Sequence, residues 1–560
     1  MDLKNLEINI VDNEEINDEY LLFQHNFLKN NLINAINIVK QYIIEHELLI
    51  VGGSAIDFAL KLKNNKLYNE VYQIPDFDVI SYDNILHANN IGKILCSNKY
   101  SNVSIIPAIH NTTVRVQLMG YTVFDSTYVP KYIYDKIPFL TYNNFKFIHP
   151  IYQKIDQFLS LSFLFDVTGP NYNIYGRFEK DIERKSILNN FYNIQKSDIT
   201  IKNEDIKYNP LTLNLHAFNN SEINLIKMYN KDKCIYDKKN ISTKEVAKEY
   251  DILNTPSNNS DDIFYTIDSD YCYHGVLAYN LIYDNFKKLM DKIKNKNFIN
   301  ETDLQTIKNL ENDILIKTEI SIKDNNINLL IPNNVPLIII NNNNNIEKIY
   351  EEIKKDINVT ELKKFEHILN VVPNFASTRH KLDTNNLDIE FYDLYGKLLS
   401  VNMLTMGDNL FVISNYNYNL SYFLFNYYMN EDMELKNIYL SYYLSLNSII
   451  KITNLLYTNY SDIMNDIYPY YNSIYNYSIN TLGIDNFSEN YYYHLKNYYY
   501  LIYNNTNLTD LPPKNYISFP NCDIKKIFDL DKSPFYQQFH KEVDETNYHT
   551  EIYKLLELSK

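Results

Sequence analysis

Two of the ten glycines in this 560-residue chain stand side by side, Gly52-Gly53, with Ser54 directly after them. The apolar run Leu48-Leu49-Ile50-Val51 precedes the pair, and a helical pattern from Ala55 to Lys63 follows it, ending at Asn64-Asn65. That order predicts a buried strand, a tight turn and a helix. Glycine at such a junction lets another group come close to the backbone, and the first N–H groups of the helix can hold an anion such as a triphosphate. Alone, a glycine pair after a strand marks no more than a turn, so the residues downstream decide its meaning.

Downstream stands Ile74-Pro75-Asp76-Phe77-Asp78-Val79-Ile80, read as a strand over Asp76–Ser81. Residues two apart on a strand face the same side, so Asp76 and Asp78 project together while Phe77 and Val79 enter the core. Two parallel carboxylates repel one another unless a cation lies between them, and Mg²⁺ takes oxygen ligands that it can share with phosphate. Asp125 is the best third carboxylate, since Val114–Met119 and Tyr121–Phe124 read as paired strands that bring an acid to a strand end. Each of these features has a plain structural reading when taken singly.

The chain carries 53 Lys+Arg against 69 Asp+Glu, a net charge of −16, which excludes a uniformly basic coat; a polyanionic partner has to be met by a local patch. Hydrophobic residues make up 45%, enough to build a core in each of three to four units of about 150 residues, and this excludes overall disorder. The four cysteines, Cys96, Cys234, Cys272 and Cys522, are scattered without a Cys-x-x-Cys, so neither zinc nor a disulfide framework is expected. The polar start, Met1-Asp2-Leu3-Lys4-Asn5, and the lack of a long apolar run lead to the expectation of a soluble protein of a reducing compartment.

Along the chain, Tyr20–His46 has helical spacing and the first 145 residues read as mixed α/β. From His149 to about Asn300 helical patterns prevail, broken by Gly169-Pro170 and by the polar stretch near Pro256–Asp262. Pro336–Ile340 is strand-like, followed by the Asn341–Asn345 pentamer and a helix-like Ile346–Ile357, a unit able to open a second α/β domain. The last stretch reads as Tyr-rich helices. The expected division is therefore 1–145, N-terminal helices with the catalytic unit; 146–330, mostly helical; and 331–560, a C-terminal α/β domain. One internal similarity stands out: Asn144–His149 and Asn409–Ser414 are alike and each leads into an amphipathic helix, a possible duplicated copy.

Gly-Gly-Ser, a helix, Asp-x-Asp and then a strand-borne Asp together resemble the nucleotidyltransferase superfamily related to DNA polymerase β. The gap from Gly53 to Asp76 is longer than usual there, which implies an extended helix and loop over Leu60–Gln73. His149-Pro150-Ile151-Tyr152, a helix, and Arg177-Phe178-Glu179-Lys180-Asp181-Ile182-Glu183-Arg184 narrow the resemblance further. It points to the poly(A) polymerase catalytic subunits of large cytoplasmic DNA viruses, the poxvirus enzyme and its relatives in mimivirus-like and megavirus-like giant viruses. The bias toward Asn, Ile, Tyr and Lys suits an A/T-rich genome of that kind. The resemblance covers roughly Leu48–Leu188. It implies a polymerase-β-like domain, a helical middle and a C-terminal degenerate nucleotidyltransferase-like domain without a second active site. It also implies addition of AMP from ATP to RNA 3′ ends, Mg²⁺ (or Mn²⁺) held by Asp76, Asp78 and Asp125, and a location in the host cytoplasm at the viral factory or in the virion.

Nucleotide binding is assigned to Gly52, Gly53 and Ser54, and, from the one-face spacing i, i+3, i+7 on a helix, Arg177, Lys180 and Arg184 are assigned to the incoming triphosphate or the RNA backbone. Arginine is scarce here, four in all, and two of the four fall within this octapeptide. An intrahelical ladder centred on Asp181 is the competing reading. Lys287, Lys288, Lys292, Lys294 and Lys296, like Arg379-His380-Lys381, fit a solvated face as well as an RNA track. A homodimer pooling such patches is expected as the gripping form. The rival functions are another terminal transferase, adding CCA or uridylate or passing AMP to a small molecule, and a non-catalytic RNA-binding processivity partner.

Overall fold

Strand β1 (Leu49–Ile50) has only two residues, yet it lies inside a seven-stranded sheet. The computed structural model of the protein describes residues 32–68, 76–108, 113–129, 131–162, 174–198, 206–214, 222–229, 236–242, 263–268, 272–294, 298–323, 326–340, 359–367, 377–384, 388–393, 401–406 and 409–467. Helix α1 (32–45) leads into β1, and α2 (Gly52–Lys61) leaves it. Then come β2 (Asp78–Ser81), α3 (Asn84–Ser97), β3 (Val103–Pro107), β4 (Thr113–Leu118), β5 (Tyr121–Tyr128), the short α4 (Lys131–Tyr134), β6 (Phe139–Tyr142), β7 (Phe145–Ile148) and α5 (Pro150–Ser160). In space the strands run β3-β4-β5-β2-β1-β7-β6. β2 pairs antiparallel with β1 and parallel with β5, while β1 pairs parallel with β7.

The brevity of β1 follows from Gly52, whose φ of +68° turns the chain out of the sheet into α2 at once. A side chain in that left-handed conformation would cost about 1–2 kcal/mol. Burial anchors the rest: Ile50, Val79 and Phe147 have essentially no exposed surface, and α5 buries Tyr152, Ile155 and Phe158 beneath the sheet and its neighbours. Each such side chain contributes about 1.5–3 kcal/mol by leaving water.

Helix α6 (Ile174–Phe191) follows, and then strands β8 (Tyr208–Asn214), β9 (Glu222–Tyr229), β10 (Tyr236–Ser242) and β11 (Ile263–Asp268). The expectation of a mostly helical 146–330 is therefore corrected. β10, β9 and β11 form one small sheet, and β8 joins two later strands in another. Polar sequences such as Tyr236–Ser242 carry no continuous apolar stripe, and their pairing was hidden for that reason.

Next in the chain are β12 (Cys272–Gly275), α7 (Val276–Lys294), α8 (Glu301–Glu311), β13 (Ile320–Lys323), β14 (Asn326–Pro332) and β15 (Leu337–Ile340). They are followed by β16 (Val359–His367), β17 (Ser377–Thr384), β18 (Asp388–Asp393), β19 (Val401–Met406), β20 (Asn409–Ser414), α9 (Tyr416–Met429) and α10 (Met433–Ile467). The second large sheet is ordered β16-β17-β18-β15-β12-β20-β19. This is the order of the first sheet, taken up in the same sequence along the chain and with the same strand directions. The likeness of Asn144–His149 to Asn409–Ser414 is thus the likeness of β7 to β20, each feeding its own helix. The second copy begins at β12, well ahead of residue 331, so a boundary there falls inside the sheet. The helix expected over Ile346–Ile357, the Asn341–Asn345 turn and everything after residue 467 lie outside the described residues.

Both copies share one apolar core. They meet through equivalent helices, α5 against α9, where Tyr152 and Tyr428 lie 5.1 Å apart and Ser162 Oγ donates to Asn415 Oδ1 at 3.2 Å. No helix among the described residues is long and apolar enough to cross a membrane.

Candidate active site

The C-terminal end of β1 and the N-terminal end of β2 lie side by side, because Val51 N–H donates to the Asp78 carbonyl at 2.9 Å. Asp78 opens β2 and faces Asp125 in register on β5; Asp125 faces Arg115 on β4. Gly52 therefore abuts a carboxylate: a Cβ on it would stand 2.7 Å from Asp78 Oδ2. Three of the residues singled out in the sequence, Gly52, Asp78 and Asp125, converge at one sheet end by backbone pairing alone.

Asp76 precedes the strand instead of lying in it, and it is exposed. The Ser54 hydroxyl, expected to meet phosphate, donates to the Asp76 carbonyl at 3.0 Å and so ties the start of α2 to the segment before β2. Phe77 enters the core, as its alternate position requires, and its carbonyl receives Asp125 N–H at 2.9 Å.

Arg115 grips Asp125 from β4 with two nitrogens, Nε to Oδ1 at 2.9 Å and Nη2 to Oδ2 at 2.6 Å. Burial pushes the Asp125 carboxyl up, and the guanidinium bonded to it works in the opposite direction. At Asp78, burial and then the charges of Asp76 and Asp125 push the carboxyl up to about 8. Burial of a carboxylate, among like charges with too little positive charge beside them, produces this result. Among the described residues no group of three His, Cys, Asp or Glu side chains is drawn together closely enough to hold a metal ion as it stands. The guanidinium takes up Asp125. The donor set nevertheless fits a divalent cation of the Mg²⁺ kind, since hard oxygen ligands whose mutual repulsion raises Asp78 are what such an ion neutralises.

Among the expected cations, Arg184 reaches the site. Its Nη2 lies against Gly53 and donates to the Tyr68 hydroxyl at 3.0 Å. Lys180 is exposed on the same helix, and the side chain of Arg177 lies outside the described residues. His149 caps α5, its Nδ1 accepting the Ile151 N–H at 3.2 Å, which makes it a helix-start residue. In the Lys287–Lys296 run, Lys287, Lys288 and Lys292 are exposed, and Lys288 pairs with Asp284 at 2.5 Å; the side chains of Lys294 and Lys296 lie outside the described residues.

Sequence reasoning missed two site residues. Arg115 carried a signal, its scarcity and its position opposite Asp125. Tyr68 carried none, being one of 53 tyrosines in a stretch expected to be an extended helix and loop. The helix ends at Lys61, and the buried Asp57 draws the chain back by accepting the N–H groups of Leu67 and Tyr68.

A seven-stranded mixed sheet with a glycine turn, a carboxylate at the head of β2 and another opposite it on β5 defines a nucleotidyltransferase fold. Residues 37–166 match the family model described as poly(A) polymerase catalytic subunit. The resemblance read from the sequence is borne out over that stretch. Proteins provisionally named poly(A) polymerase catalytic subunit from African swine fever virus (isolates Tick/Malawi/Lil 20-1 and Warthog/Namibia/Wart80) are 38% identical over 160 residues, 29% of this chain and 33% of theirs. The chain thus covers about a third of the length of these curated relatives. The crystal structure of the Megavirus polyadenylate synthase has a similar fold, with a TM-score of 0.51 at 15% identity over 80% of this chain and 74% of that one.

The frame shared by the two sheets identifies what the second copy holds at the same points. Tyr273 pairs with Ile339 as Ile50 pairs with Val79, and Gly275 has φ +65° where Gly52 has +68°. Asp76 and Asp78 then correspond to Pro336 and Ile338, Asp125 to Glu390, and Arg115 to Lys381. Of the three carboxylates only the buried Glu390 is an acid in the second copy. The Gly275 N–H is taken by Asn419 Oδ1 at 2.8 Å.

Proposed function

We propose that the chain is a template-independent polynucleotide adenylyltransferase that adds AMP from ATP to RNA 3′ ends. The observation that carries this reading is the meeting of Gly52-Gly53, Asp78 and Asp125 at one sheet end, inside the segment that matches poly(A) polymerase catalytic subunits. The start of α2 offers N–H groups to the triphosphate, with Arg184 beside Gly53 as a cationic wall. Asp76, Asp78 and Asp125 would hold Mg²⁺ or Mn²⁺, which when bound neutralises the leaving pyrophosphate and lowers the pKa of the attacking hydroxyl. Arg115 fixes the Asp125 carboxylate in one orientation. Ser54 fixes the backbone that carries Asp76. Most of the rate then comes from positioning the α-phosphate in line with the RNA 3′-hydroxyl and from charge stabilisation.

The test is incorporation of each of the four nucleotides on one RNA primer with a divalent cation. ATP alone should be added efficiently, and Asp76→Ala/Asp78→Ala should lose at least about 10²–10³-fold in rate, several kcal/mol of transition-state stabilisation. Wild-type rates in that double variant would sink the reading, and preference for CTP or UTP would move it to another terminal transferase. We further propose that two copies act together on RNA, supported by the net charge of −16, which leaves one chain few cations with which to follow a polyanion. Light scattering at assay concentration checks this, and a monomeric, processive enzyme would overturn it.

A further inference from the structure

The two adjacent glycines face different walls. Gly52 lies against Asp78, whereas the space a Cβ on Gly53 would need is filled by the Tyr68 hydroxyl and the Arg184 guanidinium. A side chain at position 53 would have to push both of these side-chain ends aside, and glycine leaves them where they are. Tyr68 is held there by a device built into α2. Positions 53, 57 and 61 fall four apart, on one face of the helix. The first is the seat. Asp57, 4% exposed, accepts the backbone N–H groups of Leu67 at 2.8 Å and Tyr68 at 3.1 Å through Oδ1. Lys61 holds the other oxygen of that carboxylate at 2.8 Å. A buried, paired carboxylate committed to two backbone amides of a loop fixes the half-buried tyrosine that follows them at one point.

The phenol accepts a hydrogen bond from Arg184, so its own proton remains to be given, and among the described residues no hydrogen bond takes that proton. Its direction of use is set by what surrounds it. On the far side of Gly52 lie the carboxylates and the cation they would hold; on the near side lie two donors, Tyr68 and Arg184; between them are the N–H groups at the start of α2. An anion seated on the glycines would meet donors on the Tyr68 and Arg184 side, and on the other side carboxylates that a divalent cation would have to neutralise.

We propose that the Tyr68 hydroxyl is a ligand of the incoming nucleotide, donating to the terminal phosphates seated against Gly53, with Arg184 polarising the phenol and Asp57 acting as its positioning residue. This rests on the nucleotidyltransferase reading of the site. The experiment measures calorimetric binding of ATP and of AMP to the full chain with Mg²⁺, in wild type, Tyr68→Phe and Asp57→Asn, each first checked for an unchanged thermal unfolding profile. Loss of one hydrogen bond to a charged group should weaken ATP about 10-fold in Tyr68→Phe and leave AMP, which lacks the terminal phosphates, unaffected. The KM for ATP should rise by the same factor, by more than kcat falls, and Asp57→Asn should shift ATP in the same direction. Unchanged ATP affinity in Tyr68→Phe would overturn the proposal, as would equal weakening of ATP and AMP, which is what a merely structural tyrosine gives. A wild-type chain that prefers ATP to AMP through Tyr68 yet extends no RNA would leave this assignment standing and remove the polymerase reading instead.

Discussion

The two seven-stranded sheets are one design used twice, and their difference lies in what occupies the turn after the central strand. In the first copy the turn at Gly52-Gly53 opens onto carboxylates on one side and onto Tyr68 and Arg184 on the other. In the second the turn at Gly275 is closed from within. Asn419 Oδ1 takes the Gly275 N–H, and Asn419 Nδ2 donates at 2.8 Å to the Ser414 hydroxyl, which also meets His274 Nδ1 at 2.8 Å. The amide that a phosphate would compete for is already satisfied by the protein. Identical topology therefore says little about chemistry: in the second copy the turn amide is satisfied from within the protein, as suits a structural role.

The sharpest way to break this contrast is to add the same methyl group to both turns. Gly52→Ala and Gly275→Ala impose the same left-handed strain, about 1–2 kcal/mol each. Only Gly52→Ala also pushes on Asp78 Oδ2, so it should lower nucleotide addition by about 10²-fold, the penalty for a misplaced reacting group. In Gly275→Ala the new methyl meets Tyr422 at 3.2 Å, and the expected result is a lower melting temperature with kcat/KM retained. Equal losses of activity in the two variants would show that the second turn also takes part in catalysis.

Acid should next weaken both copies through folding, with His274 carrying the second copy's share. Burial pushes His274 down to about 3, so it is neutral in the folded protein and protonates only in the unfolded chain as pH falls below about 6.5. The unfolded state then binds more protons. The stability contributed by neutral His274 is complete above that pH and is progressively lost as pH falls toward the folded value. Denaturant titrations at pH 7 and pH 5 should show this loss, reduced in His274→Gln. Some slope should persist in that variant, because His87, pushed down to about 4 by burial and then by His46, titrates over the same window. An unaltered slope in the variant would mean that the buried network of the second copy tolerates a charge. The smallest effect is expected from Ser414→Ala, which removes a hydroxyl shared by His274 and Asn419. It should cost about 1–3 kcal/mol in chemical denaturation with ATP incorporation unchanged.

Much of the first site was legible because its residues are rare or strictly spaced. Two adjacent glycines among ten, acids two apart, and an acid ending a strand each survive a composition crowded with Asn, Ile, Tyr and Lys. The duplication was legible only at β7 and β20, where Phe145–Ile148 and Leu410–Ile413 keep a similar apolar pattern. Its remaining strands were not, because β12 has four residues and reads as the start of the helix that follows it. At β15, the counterpart of β2, Pro336 and Ile338 stand where the first copy has its two carboxylates, so no chemical mark distinguishes it. Tyr68 was out of reach for another reason: its position depends on a hydrogen bond from the backbone to Asp57, and neither residue shows a pattern that announces the contact.

The packing of α5 on α9 has a consequence for how such a molecule is able to change. Equivalent helices in contact form the kind of isologous joint that a symmetric dimer makes, here enclosed in a single polypeptide. In a true dimer any substitution appears on both sides of the joint at once. Here each side varies independently, which is how Ser162 comes to bond Asn415 across it, and how one half can give its polar groups to packing without imposing the same change on the other.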